Sequence, residues 1–137
     1  MEKTFAIIKP DAVKAGNSGS IISRIEQAGL KILGMRKLTM ARSLAEHFYA
    51  VHKSRPFFGE LINIITAGPC IVLALEGKNA IVAWRELIGA TDPAKADKGT
   101  LRQLYGTDIS YNAVHGSDAP ETADAEIRIF FKEADFI

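Results

Sequence analysis

The chain has 137 residues, of which 47% are hydrophobic and 24% are charged. This length suits one domain and this composition excludes a disordered chain, so we expect residues 1–137 to fold as a single domain. Lys and Arg number 17 against 16 Asp and Glu, and the resulting net charge of +1 argues against a protein that coats nucleic acid or an acidic membrane.

Hydrophobic periodicity and turn signals predict three strands among several helices. In chain order these are a strand over Thr4–Lys9, a helix over Ser18–Ala28, a strand over Lys31–Met40, a helix from Ser43, a helix over Phe58–Ile65, a strand over Cys70–Leu75, a helix from Asn79, a short helix over Thr100–Tyr105 and a helix opening at Asp118–Glu121. Such mixing implies an α/β or α+β sandwich, a sheet covered by helices on one or both faces. The pattern leaves open a fourth strand, either near Thr107 or at the C-terminus.

Several residues mark the ends of these elements. Pro10-Asp11 is a turn signal that closes the first strand. Ser43 and Glu46 match the capping-box pattern, and Asn79 and Asp118 are the predicted caps of two later helices. The segments Gly89–Gly99 and Ser110–Asp118 are polar and rich in small or turn-forming residues, so both are predicted as loops of functional length.

Cysteine and histidine usage predicts neither a disulfide nor a protein-bound metal. Cys70 is the single cysteine and lies in an apolar run, where a buried thiol is expected. The histidines His47, His52 and His115 lack metal-ligand spacing. The start of the chain lacks the features of a signal peptide, and no apolar stretch reaches the ~20 residues of a membrane span. We therefore expect a cytoplasmic protein.

Glycine-rich phosphate loops are absent, so any phosphate must be held by side chains. The segment most suited to chemistry is Asn112–Asp118, which places His115 in a loop before a helix start. Imidazole titrates near neutrality, and the free N–H groups of a helix N-terminus attract anions, so His115 could accept a phosphoryl group. From the residues alone, a solvated turn histidine beside Asp118 is the simpler interpretation.

The loop closely resembles the Asn-x-x-His-Gly-Ser-Asp signature of nucleoside diphosphate kinases, with Glu121 as the acidic residue that follows. Five further blocks resemble the same family, in its order and with its spacing, across nearly the whole chain. These are Ile7–Asp11, Phe48–Tyr49, Arg55–Phe58, Gly89–Pro93 and Gly99–Arg102. The resemblance implies a ferredoxin-like sandwich, in which helices cover a four-stranded antiparallel sheet.

The resemblance also implies an activity. Members of the family transfer the γ-phosphate of a nucleoside triphosphate, typically ATP, to a nucleoside diphosphate with low base specificity. By resemblance, the ping-pong reaction passes through a phosphohistidine on His115, whose second ring nitrogen is held by Glu126 with support from Ser117. Mg²⁺ is expected to arrive with the nucleotide, bound by phosphate oxygens and water rather than by the protein.

The nucleotide contacts follow from the same resemblance. Lys9, Arg85, Arg102 and Thr91 are assigned to the phosphates, Lys9 and Asn112 to the sugar hydroxyls, Phe57 to stacking on the base, and Tyr49 to the neighbourhood of the histidine and terminal phosphate. Without the family, each has a simpler interpretation as a strand end, a solvated helix residue or a core aromatic. The family further implies a homo-oligomer built from dimers, and the short C-terminal end leaves tetramer and hexamer open.

Two alternatives from other classes remain beside the enzyme. The first is a nucleotide-binding regulator with the same fold and little turnover, since fold does not dictate function. An intact His115 with Glu126 behind it disfavours that interpretation, because a regulator needs no nucleophile. The second is nucleic-acid binding as the main role, which the nearly neutral charge disfavours.

Overall fold

The computed structural model describes residues 1–137 and contains one four-stranded antiparallel sheet. Its strands are β1 (Glu2–Ile8), β2 (Lys31–Leu38), β3 (Cys70–Gly77) and β4 (Val114–Gly116), in the order β2-β3-β1-β4. Its helices are α1 (Pro10–Lys14), α2 (Ser18–Gln27), α3 (Arg42–Phe48), α4 (Phe58–Ile65), α5 (Ala80–Ile88), α6 (Leu101–Tyr105) and α7 (Pro120–Phe130). The expected ferredoxin-like sandwich is therefore confirmed. None of these helices combines the length and the apolar character needed to cross a membrane.

The two central strands, β1 and β3, are buried on both faces, which explains their nearly continuous apolar sequences. Successive side chains of β1 enter two separate cores. Phe5 and Ile7 pack with residues of α3, α4 and α7 on one face. Ala6 and Ile8 pack with residues of α2 and α5 on the other face, including the fully buried Trp84. Helices thus cover the sheet on both sides.

The fourth strand lies where the sequence predicted a loop. Residues Val114–Gly116 pair with β1 in the register Ile7↔His115, and neither the Thr107 region nor the C-terminus forms a strand. Three residues are too few to show a period of two, and a histidine at the centre breaks the apolar pattern. The extended state of β4 is therefore imposed by its pairing with β1 rather than by local preference.

The other predicted strands and most helices occur within a few residues of their expected bounds. One addition is α1, since Pro10 stands at its first position instead of only closing the preceding strand. Proline suits that position because the N–H that it lacks would have no partner within the helix. Val51 lies beyond the end of α3, in the short 3-10 turn Ala50–His52, and is exposed.

Two of the predicted helix caps are wrong. Helix α3 follows Ala41, and Ser43 makes no capping hydrogen bond. Helix α7 follows Ala119 rather than Asp118, and the Ala119 N–H donates to the hydroxyl of Thr122 at 3.0 Å. Asp118 instead pairs with the guanidinium of Arg85, which is 33 residues away in the sequence. Asn79 does precede α5, with φ of 51°, although its side chain makes no cap bond.

Substitution of Gly116 tests how tightly β4 packs against the core that contains Trp84. A Cβ at this position would lie 2.8 Å from two ring atoms of Trp84 and 3.3 Å from Ile88. We expect Gly116→Ala to lower the free energy of unfolding by about 1–3 kcal/mol, the usual cost of overpacking. Urea unfolding measures it.

The matched control is Gly19→Ala in α2, where an added Cβ meets nothing within 4 Å. Because alanine restricts the unfolded chain and favours the helix, this variant should gain about 0.4–1 kcal/mol. Equal effects of the two substitutions would contradict the close contact between β4 and Trp84.

Candidate active site

All ten predicted site residues meet at one cleft beside the β1–β4 edge. Eight of them line a cavity of about 250 Å³: Lys9, Tyr49, Phe57, Arg85, Thr91, Arg102, Asn112 and His115. The other two, Ser117 and Glu126, lie behind the ring of His115. These residues come from the end of β1, from the segment between α3 and α4, from α5, α6 and the loop between them, and from β4 and α7 with their flanking loops. The fold therefore gathers segments that are far apart in the chain.

The backbone and the ring of His115 are both held in place by neighbouring residues. Its strand pairs with Ile7, and the indole Nε1–H of Trp84 donates to the His115 carbonyl at 3.1 Å. The ring packs edge-on against Phe48, with centroids 5.3 Å apart. The side chain remains 24% exposed, which is enough to present one edge of the ring to the cleft.

Glu126 fixes which ring nitrogen faces the cleft. Nε2 of His115 lies 3.0 Å from Glu126 Oε1, and the Ser117 hydroxyl donates to the same oxygen at 2.6 Å. Burial raises the pKa of the Glu126 carboxyl, but the hydrogen bond and charge of His115 and the bond from Ser117 lower it below its ordinary value. An ionised carboxylate keeps the ring proton on Nε2, so the lone pair is on Nδ1.

Lys9 and Asn112 form a buried polar pair at the end of β1. The Lys9 Nζ donates to Asn112 Oδ1 at 2.9 Å and to the carbonyl of Ser110 at 3.1 Å, and the Asn112 amide donates to the carbonyl of Thr91 at 3.1 Å. Burial lowers the pKa of the Lys9 ammonium to about 8, with opposing contributions from Asp11 and Arg102. No carboxylate bonds this ammonium, so its charge is available to an anion.

Arg102 is a second buried cation that bonds only neutral groups. Its guanidinium donates to the carbonyls of Gly89 at 3.1 Å and Val114 at 3.0 Å, and its Nε is buried without a partner. Burial, together with the nearby charge of Arg85, lowers its pKa to about 10. The sequence-based alternative of a solvated arginine is therefore wrong.

Arg85 and Tyr49 complete the polar part of the cleft. Arg85 donates to the carboxylate of Asp118 at 2.7 Å and to the carbonyl of Gly116 at 3.3 Å, and its side chain is 41% exposed. Burial raises the pKa of the Tyr49 hydroxyl well above its ordinary value, and the charge of Glu126 adds to the rise. Tyr49 thus keeps its proton at neutral pH and can donate it in a hydrogen bond.

An apolar chamber of about 380 Å³ continues the cleft between Phe57 and Ile109. Phe57 is 42% exposed, and its ring lies 5.7 Å from that of His52. Sequence reasoning missed Ile109, His52 and Leu61 as lining residues. Ile109 is an isolated apolar residue in the polar run Thr107–Ser110, and that isolation is the one signal that could have singled it out.

The protein offers no cage for a metal ion, since no three His, Cys, Asp or Glu side chains are grouped closely enough to share one. The carboxylate nearest to the open cleft is that of Asp118, which is paired with Arg85. A divalent cation here would therefore take most of its ligands from a bound anion and from water.

Comparisons with known proteins agree on one family. The family model described as nucleoside diphosphate kinase matches residues 2–136. The nucleoside diphosphate kinase of Desulfotalea psychrophila is 56% identical over 131 residues, 96% of either chain. That of Geotalea daltonii is 56% identical over 137 residues, the full length of both.

Solved structures show the same arrangement of elements. The nucleoside diphosphate kinase of Aquifex aeolicus superposes with a TM-score of 0.97 at 39% identity and covers 99% of each chain. A Halobacterium salinarum nucleoside diphosphate kinase in complex with CDP gives 0.95 at 39% identity, over 99% of this chain and 91% of that one. On this evidence, the chain belongs to the nucleoside diphosphate kinase family.

Proposed function

We propose that the chain transfers the γ-phosphate of a nucleoside triphosphate to a nucleoside diphosphate through a phosphohistidine on Nδ1 of His115. The observation that carries this proposal is the Glu126–His115 pair at a cleft lined by three cations. The Nδ1 lone pair attacks the γ-phosphorus as the bond to the β-phosphate oxygen breaks, and the diphosphate leaves. A second diphosphate then attacks the phosphorus, and the P–N bond breaks.

The cations stabilise the charge on the transferring group. Lys9, Arg85 and Arg102 line the same cavity as His115, and the Thr91 hydroxyl is available to a phosphate oxygen. Lys9 and Arg102 are already fixed by backbone carbonyls, so little reorganisation is needed when phosphate charge develops. We assign Tyr49 as a hydroxyl donor toward the terminal phosphate, consistent with its raised pKa.

The sugar and base occupy the other parts of the cleft. We assign the sugar hydroxyls to Lys9 and Asn112, whose polar atoms already lie 2.9 Å apart. The base enters the apolar chamber between Phe57 and Ile109, where an aromatic face stacks on any base. Low base specificity follows, and a neighbour solved with CDP supports entry of a pyrimidine.

Further proposals concern the setting of the reaction. Mg²⁺ belongs to the nucleotide substrate, because the cleft lacks a carboxylate cage. A homo-oligomer built from dimers is supported by β2, an edge strand on which Met35 is 51% exposed. The two cores lie on opposite faces of one sheet, which supports a single domain. The one cysteine is buried and unpaired, which suits the reducing cytoplasm. A regulator with little turnover is not favoured, because it would not need the nucleophile.

Removal of the nucleophile tests the function directly. The unaltered chain incubated with γ-labelled ATP should carry an acid-labile, alkali-stable label that a chase with GDP moves to GTP. We expect His115→Ala to take up no label, because alanine has no lone pair to attack phosphorus. His47→Ala, which changes an exposed histidine, is the control and should label normally. Label on His115→Ala, or label that GDP cannot remove, would contradict the proposal.

Glu126→Gln tests the control of the ring tautomer. Glutamine keeps the size of the side chain but loses the charge that holds the proton on Nε2, so the rate of enzyme phosphorylation should fall by about 10²-fold or more. Rapid-quench measurement with labelled ATP gives this rate. Asp124→Asn makes the same change on the exposed part of α7 and should leave the rate unaltered. A rate for Glu126→Gln within threefold of the original would refute the assignment.

The pKa of Lys9 predicts a pH dependence of nucleotide binding. Since the free ammonium loses its proton at a pKa of about 8, the charged fraction and the affinity for ADP should fall about tenfold between pH 7 and pH 9. Isothermal titration calorimetry measures the affinity. Lys9→Arg, whose guanidinium stays charged throughout, should bind more weakly at pH 7 but lose most of this pH dependence. An unchanged pH profile in that variant would assign the dependence to another group.

A further inference from the structure

The backbone at Ala113 is strained. Its φ is +73°, and Asn79 is the only other non-glycine residue with a positive φ. The N–H of Val114 donates to the carbonyl of Asn112 at 2.9 Å, which closes a three-residue γ-turn around Ala113. A γ-turn of this hand is rare, and a Cβ adds to its strain. Such a conformation persists only where the surroundings hold it in place.

Two hydrogen bonds from the segment after β1 hold this turn. The N–H of Lys9 donates to the carbonyl of Ala113 at 2.8 Å, and the N–H of Ala113 donates to Asp11 Oδ2 at 3.1 Å. Asp11 is the one side chain that bonds the backbone of the strained residue. Its other oxygen, Oδ1, is buried without a partner, so this carboxylate is kept in place despite an unfavourable desolvation.

The turn at Ala113 affects the position of the proposed sugar contacts more directly than it affects the position of His115. Asn112 opens the turn, and its side chain is bonded to Lys9 and to the carbonyl of Thr91. His115 has independent supports in the strand pairing, in the indole of Trp84 and in Glu126. Loss of the Asp11 contact should therefore displace Asn112, while Lys9 keeps its bond to the Ser110 carbonyl and His115 keeps its own supports.

We propose that Asp11 is a positioning residue for nucleotide binding, whose carboxylate holds the strained turn at Ala113 and thereby sets Asn112 against the sugar hydroxyls. This inference rests on the proposed function, in which Asn112 contacts the sugar. A positioning role of this kind predicts a defect that depends on the sugar. A general structural role predicts an equal defect with every nucleotide.

The test compares ATP with 2′,3′-dideoxy-ATP as phosphate donors, each below saturation, by the rate of His115 phosphorylation. The unaltered chain should prefer ATP. In Asp11→Ala the rate with ATP should fall about tenfold or more, while the rate with the dideoxy donor should change by less than about threefold. The ratio of the two rates does not depend on the fraction of protein that is folded, so loss of stability cannot imitate the effect.

Three further variants sharpen the result. Asp11→Asn keeps an acceptor oxygen for the Ala113 N–H and should retain most of the preference for ATP. Ala113→Gly added to Asp11→Ala should restore part of it, because glycine adopts a positive φ without a Cβ penalty. Asp124→Ala removes an exposed carboxylate from α7 and should change neither rate.

Each outcome decides a different point. Equal losses with both donors, or an undiminished preference for ATP in Asp11→Ala, would overturn the role of Asp11. An unaltered chain that is labelled by both donors at the same rate would overturn the sugar assignment and this inference with it, while leaving transfer through His115 intact. A chain that takes up no label from either donor would overturn the proposed function itself.

Discussion

The three-residue pairing of β4 with β1 is the contact on which the site depends. It sets His115 opposite Ile7, and the alternation of side chains sends the imidazole toward α7 and its neighbours toward α5. The same antiparallel ladder continues into the Lys9–Ala113 hydrogen bond. Slippage by one residue would turn the imidazole into the core of Trp84, so the register is fixed by both cores at once.

Buried positive charge without a carboxylate partner is the second feature of the molecule. Lys9 and Arg102 are bonded to carbonyl and amide oxygens, which satisfy most of their donors but place no carboxylate in direct contact with their charge. The lowered pKa of each group records that cost. A polyphosphate would supply the missing negative charge, so binding and catalysis gain from an arrangement that does little for the stability of the free chain.

Long elements with a regular apolar pattern could be predicted from the sequence, whereas tertiary constraints could not. The strands β1 and β3 are buried on both faces, so their continuous apolar runs could be predicted as strands. The strand at His115 is defined only by its partner, and Asp118 pairs with Arg85 instead of capping α7 because the fold brings a guanidinium within 2.7 Å. The site residues were found through motif resemblance, since nothing in the linear pattern brings them together.

The distribution of polar groups along the cleft explains how one site can serve many nucleotides. The cations and amides lie at the end that we assign to the phosphates and sugar. The chamber proposed for the base is walled mainly by Phe57, Leu61, Ile64 and Ile109, which cannot read a Watson–Crick edge, and its polar lining is limited to Glu60, Thr91 and Ser110. A net charge of +1 is compatible with this arrangement because the cationic end is small and enclosed. If the nucleotide binds as we propose, its binding energy is concentrated on the phosphates and sugar, and the cleft accepts differences at the base without having to recognise them.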